Sequence, residues 1–357
     1  MEIDLLLALC GFLGGTVLGI CARWGRFCTL AAIEDFALGH DSRRLATWTF
    51  AIGIAILGVQ LLHAATGHAL DASRYISEPT SWLGNVVGGG LFGLGMALAG
   101  TCGYGVLARL GGGDFRALIT LVAMAVAGYA AMRGVLAPLR EFVATAVPFA
   151  PPSALAVDAW LSARSGAPRH IVGIGIGLLV CAVALRSVRL RGHARSLVIG
   201  LLVGLTVVSG WAATALLVDP FEPRPVESFT FTAPLGDSLL YLMISTGMQI
   251  NFGIGSVAGV VFGAMAATAV MRQFRWEACE DAREIRRLLF GGALMGFGGV
   301  LAFGCTVGQG LSAASLLAWS APVTLLSMYC GAWLGLHWLV DGQFGASWRE
   351  RLSLRKQ

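Results

Sequence analysis

Charge is what this sequence has least of. Only 13% of its 357 residues are Asp, Glu, Lys or Arg, against about a quarter in an ordinary soluble domain. With 56% hydrophobic residues and a mean hydropathy of +0.75, a water-soluble fold would lack the polar surface to cover its core. Other absences narrow the field. No GxxxxGK[ST] phosphate loop occurs, so nothing points to ATP hydrolysis. The eight cysteines (Cys10, Cys21, Cys28, Cys102, Cys181, Cys279, Cys305 and Cys330) form no CxxC pair and no zinc spacing. A disulfide scaffold of the small secreted type is not expected, and neither a cofactor nor a metal is called for. The first apolar run, Leu5 to Ile20, follows Glu2 and Asp4 rather than a basic stretch, so it reads as a first membrane segment and not as a cleaved signal.

What is present are long, continuous apolar runs, which predict an all-α polytopic membrane protein rather than a barrel of alternating strands. Full spans are expected at about 5–21, 45–65, 117–135, 171–185, 196–218, 252–270 and 321–340. Between them, Gly84–Gly100 and Leu289–Gly304 are apolar but glycine-rich, and Trp24–Phe36 mixes Arg, Cys, Glu and Asp with apolar residues. Such pieces predict short re-entrant or broken helices around a cavity, since irregular backbone is not tolerated against lipid. The net charge of +5 is concentrated in Arg186–Arg195, Arg272–Arg287 and the tail Arg349–Lys356. This is the pattern of cytoplasmic loops and needs no nucleic acid to explain it.

The chain also matches itself. With Cys102 placed on Cys305, nine of the eighteen positions from Gly88 to Gly105 are identical to Gly291–Gly308, without a gap. Upstream, Phe27, Ala31 and Asp35 recur as Phe229, Ala233 and Asp237, with Thr230 in the place of Cys28. The expected organisation is one membrane domain. It has a first repeat at about 1–135, a connecting segment at 136–195, a second repeat at about 196–345 and a basic tail at 346–357. The two repeats are expected to be pseudo-symmetric and inverted, as in many secondary transporters, where broken helices meet near the midplane.

Candidate site residues lie on the repeated turns. Cys28, Cys102 and Cys305 offer soft, polarisable thiols that suit a terminal sulfur better than a hard oxyanion. Gly103 and Gly105, like Thr306, Gly308 and Gln309, follow two of these cysteines and are placed to open half-helices whose N-termini favour an anion. Thr230 completes the set. Cys10, Cys21, Cys181 and Cys330 read as packing residues. Arg26 either attracts an anion or pairs with Glu34 or Asp35; Arg109 either does the same or is a surface anchor with Arg116.

At these residues the sequence resembles the YeeE/YedE family of thiosulfate transporters. The motifs are Gly25-Arg26-Phe27-Cys28 with Ala31 and Asp35, Gly84-Asn85 through Gly100-Thr101-Cys102-Gly103-Tyr104-Gly105, and Gly304-Cys305-Thr306-Val307-Gly308. The resemblance implies an hourglass-like fold in a bacterial inner membrane. It also implies a relay of thiosulfate by S–H···S contacts with Cys28, Cys102 and Cys305, and a separate cytoplasmic sulfurtransferase partner of the TusA-like type. The expected path runs from an outer basic concavity past Cys28, then Cys102 and Cys305, to release inside. Other readings stay open: a different sulfur or selenium cargo, a membrane thiol oxidoreductase or sulfurtransferase, and a docking subunit.

Overall fold

The computed structural model describes residues 2–78, 80–146, 148–149, 156–217, 225–279 and 281–341. The expected basic tail lies outside them, as do parts of the connections around Arg140–Arg169 and Asp219–Asp237. The frame is helical: α1 (Glu2–Trp24), α2 (Thr29–Ala37), α3 (Arg43–Thr66), α4 (Trp82–Ala99), α5 (Gly103–Gly111), α6 (Phe115–Arg133), α7 (Arg169–Leu185), α8 (Ala194–Leu216), α9 (Ala233–Ile244), α10 (Phe252–Val270), α11 (Ala282–Leu301) and α12 (Ser320–Asp341). Six helical stretches are long and apolar enough to cross a membrane. Two of these run through a break, Ile3–Ala37 and Trp82–Gly111. A seventh is reached if α7 and the preceding helix Val157–Ser165, bent by 119°, count as one. The run expected at 321–340 is one 22-residue helix, α12, outside that set of six.

Glycine decides how these helices meet. Along α1, a Cβ on Gly11, Gly15 or Gly19 would press within 3.0 Å of the carbonyls of Phe252, Ser256 and Val260 in α10. In return, Gly255, Gly259 and Gly263 of α10 press on the carbonyls of Ala8, Phe12 and Thr16. The two backbones therefore run parallel and nearly touch, which small residues alone permit. A second parallel seam joins α4 to α12 through Gly89 on Thr324 and Gly93 on Met328. An antiparallel one joins α4 to α11, where Gly88 meets Gly298 and Gly95 meets Gly291. Most glycines are thus packing residues. Cys181 is one too, buried with its sulfur against Gly53.

The seams fix two faces. On one lie the end of α1, the start of α3 and the end of α10, tied by Arg23 Nε donating to Thr268 Oγ1 at 2.9 Å. Arg116 pairs there with Asp114, Glu277 and Glu284, which places the basic Arg272–Arg287 segment on this face. On the other lie the end of α3 and the helix Arg74–Ser77. There Arg169 bonds Asp71 at 2.6 Å and Asp158 at 2.8 Å, and Gln60 Nε2 donates to Asp158 at 3.1 Å. The Asp158 side chain is only 1% exposed.

Three outcomes follow. Gly259→Leu should separate α1 from α10 and destabilise the protein by about 1–3 kcal/mol or more, the range for overpacking. Gly175→Leu, with nothing within 4 Å of a Cβ, should leave thermal unfolding in detergent unchanged. Asp158→Ala should lower stability by about 1–3 kcal/mol, because it leaves the Gln60 amide without its acceptor and takes one of the two carboxylates from Arg169; an unchanged melting curve would refute that role.

Candidate functional site

Four helices begin inside the protein. α2 follows Cys28, α5 follows Cys102, α9 follows Thr232, and a helical segment with a π turn at Gly308–Ala313 follows Cys305. The chain can break there because of its turns. Gly100 ends α4 in the left-handed region (φ +70°), and Phe303 adopts the same conformation (φ +58°) at the matching position after α11. Glycine takes that conformation freely and phenylalanine does so under strain. Each break leaves carbonyls without helical partners. Arg109 Nη2 donates to Gly100 O at 2.8 Å, and Gln309 Nε2 donates to Ala302 O at 2.7 Å.

Sulfur caps the new helices. Cys102 Sγ accepts from Gly105 N at 3.4 Å, and Cys305 Sγ accepts from Gly308 N at 3.4 Å and from Phe231 N at 3.3 Å. The two cysteines are fully buried and Cys28 is half-buried. Cys28 Sγ lies 3.8 Å from Cys102 Sγ and 3.8 Å from Thr101 Oγ1. That is thiol contact, well beyond the ~2.05 Å of a disulfide. In the second half, Thr230 Oγ1 lies 3.9 Å from Cys305 Sγ. The two clusters are bridged by aromatic rings: Tyr104 stacks on Phe231 with centroids 5.6 Å apart.

The expected site residues therefore fall into two groups. Cys28, Cys102, Gly103 and Gly105 form one; Thr230, Cys305, Thr306, Gly308 and Gln309 form the other. A Cβ on Gly105 would collide with the Thr101 hydroxyl and lie 3.5 Å from both the Cys28 and Cys102 sulfurs, so glycine lets these groups meet against the backbone. Gln309 is committed to the loop, since Ser320 also donates to its Oε1. Three buried hydroxyls, on Thr29, Thr232 and Thr306, have no partner among the described residues. They sit at or beside the helix starts, and only Thr306 was singled out from sequence. A threonine in an apolar run gives no signal until the fold shows its hydroxyl unpaired.

Arg26, in the left-handed region (φ +49°), is exposed and does not pair with Asp35, which bonds Arg44 at 3.2 Å. Arg26 instead lines a cavity of about 230 Å³ together with Cys28, Arg43, Arg44, His193 and Arg195. Arg195 also covers the Trp24 ring at 5.0 Å. Four guanidinium groups thus surround the open side of the Cys28 thiol. Sequence reasoning found Arg26 and missed the other three, which come from the starts of α3 and α8. Arg109 donates to the carbonyl of Gly100 and so closes the end of α4.

This concavity lies on the face that carries Arg186–Arg195 and Arg272–Arg287. An outer basic concavity and cytoplasmic basic loops therefore exclude one another. Cys28 opens toward this shared face.

The cavity also yields a measurable expectation. Cys28 should react with a small anionic thiol reagent about tenfold faster than in an Arg26→Gln/Arg43→Gln variant, because the local field concentrates anions by 10-fold or more. Equal rates would show that the cavity exerts no such pull.

The sequence that builds this site is matched by relatives. The family described as sulphur transport aligns with residues 24–334, which include every residue of both clusters. A protein named thiosulfate transporter TsuA from Escherichia coli (strain K12) is 29% identical, covering 93% of this chain and 94% of the relative. A protein of the same name from Spirochaeta thermophila is 26% identical, covering 90% of this chain and 96% of the relative. With the match running from the end of α1 to the last turns of α12, this chain belongs to the sulphur transport family.

Proposed function

We propose that this protein carries thiosulfate inward across a bacterial cytoplasmic membrane along a path lined by Cys305, Cys102 and Cys28. The observation that supports this reading most is the 3.8 Å contact of the buried Cys102 with Cys28, which itself lines a cavity edged with arginine. Thiosulfate has one soft sulfur and three hard oxygens. A thiol offers a weak donor that suits the sulfur, while helix N-termini and unpaired threonine hydroxyls suit the oxygens. The names of the two relatives point to the same cargo.

The anion enters from the face opposite the basic loops and meets Cys305 beside Thr230 and Thr306. It passes the Tyr104–Phe231 pair to Cys102 and Cys28, and leaves through the arginine-lined mouth. No bond is made or broken on the way. Gly103, Gly105 and Gly308 keep the backbone close to the path. Inside, a small sulfurtransferase of the TusA-like type is a suitable consumer of the anion.

The two halves are read as inverted repeats. Cys28 stands to Cys102 as Thr230 stands to Cys305, at 3.8 and 3.9 Å, and the Gly105 and Gly308 amides meet their sulfurs at the same 3.4 Å. The helices before Cys28 and before Thr230 start on opposite faces. Residues 1–135 and 196–345 then form the repeats, with 136–195 between them.

The test is uptake of labelled thiosulfate into proteoliposomes. A hydrogen bond to a charged group is worth about 1.5–3 kcal/mol, so losing a thiol should cut uptake roughly tenfold or more. Cys28→Ala, Cys102→Ala and Cys305→Ala should all show this loss, while Cys181→Ala should transport normally. Uptake indifferent to all three would remove the thiols from the mechanism. Absence of uptake by the native protein would remove thiosulfate as the cargo.

A further inference from the structure

The arginine-lined mouth is one end of the path; the structure also shows what stands at the other. Between α3 and α4 the chain makes the short helix Arg74–Ser77, on the face opposite the basic loops. From it Tyr75 reaches into the protein. Its ring meets Trp211 edge-on, with centroids 6.4 Å apart and planes at 75°. Trp211 is itself held by Nε1 donating to Ser315 Oγ at 3.0 Å, so the ring rests against a fixed wall.

The Tyr75 hydroxyl ends at the glycines on either side of Cys305. A Cβ added to Gly308 would lie 3.1 Å from Tyr75 Oη, and one added to Gly304 would lie 3.4 Å away. The Gly308 position faces the Thr230 hydroxyl as well. The oxygens of Tyr75 and Thr230 and the Cys305 sulfur thus come together against the Gly308 backbone. Cys305 is fully buried and Tyr75 is partly exposed, so the tyrosine stands between the thiol and the surroundings on this face. Burial, then the nearby Cys305, push the phenol well above its usual range, against the opposing pull of its hydrogen bond with Thr230. It therefore remains a protonated donor at neutral pH. Its hydroxyl, buried beside the thiol and bonded only to the Thr230 side chain, can exchange that neutral partner for the oxygen of a passing oxyanion.

We propose that Tyr75 guards this mouth and helps to select the cargo: its ring covers the way to Cys305, and its hydroxyl donates to an oxygen of a sulfur oxyanion whose soft sulfur meets the thiol. The proposal rests on the reading of the chain as an anion transporter. It adds a hard-oxygen ligand to the soft-sulfur ligand at the same station, so that recognition needs an ion with both ends.

Two variants separate the roles. Tyr75→Phe keeps the ring on Trp211 and removes only the hydroxyl; Tyr75→Ala removes both. In reconstituted native and variant protein, modification of Cys305 by a membrane-impermeant charged thiol reagent is followed by peptide mass spectrometry. Thiosulfate uptake is measured beside it. Tyr75→Ala should speed Cys305 modification about tenfold, while Tyr75→Phe leaves it slow. Tyr75→Phe should raise the KM for thiosulfate about tenfold with little change in maximal rate, the signature of a lost binding contact. Unchanged Cys305 labelling in Tyr75→Ala, with protein that melts like the native form, would overturn the cover. A native KM in Tyr75→Phe would overturn the donor. If the native protein carries no thiosulfate, the transport reading fails by itself, and the labelling rates still decide whether Tyr75 covers Cys305.

Discussion

A backbone that leaves the helix inside a membrane has to be walled off from lipid, because its freed N–H and C=O groups find no water there. This constraint governs the whole structure. The starts of α2, α5 and α9 and the segment after Cys305 can lie inside only because other helices close around them. Those helices close tightly because glycine lets carbonyls approach glycine on the facing backbone. What remains at the breaks is satisfied by side chains at short range. Arginine or glutamine takes a carbonyl at the end of each broken helix, and sulfur takes an amide at the start of the next.

The same requirement shapes the chemistry. A cap made by a thiol is weak, so the amides that it accepts from are only lightly committed. A passing anion competes for them on better terms than it would against the oxygen of serine or aspartate. Cysteine at a helix start thus serves two demands together: it completes the resting fold, and it yields to a charged guest. The protein replaces Cys28 by Thr230 in the second half, so the two stations differ in softness although their geometry is alike.

Much of this was legible in the sequence. Apolar runs marked the spans because lipid leaves no other option. The Gly-rich segments ending in cysteine marked the breaks, and the match of Cys102 with Cys305 marked a common local geometry. The matched positions Gly100 and Phe303 do adopt the same left-handed turn. What stayed hidden was distance between segments far apart in the chain. Nothing local ties Arg43 or Arg195 to Cys28, or Tyr75 to Cys305, since each pair meets only after several helices have packed. Orientation was hidden for a related reason. The basic segments gave the face, but which cysteine opens toward that face depends on how α1 and α3 bring Arg26 and Arg43 together.

The parallel seam between α1 and α10 bears on how the protein is made. The glycine edge of α1 is finished some 240 residues before its partner. At about 5–20 residues per second, the first helix waits on the order of 10 to 50 s in the bilayer before α10 arrives. During that time its small-residue face has only lipid or a provisional neighbour against it. Closure of this seam is thus governed by the late half of the chain: one of the first surfaces to be made is among the last to be paired.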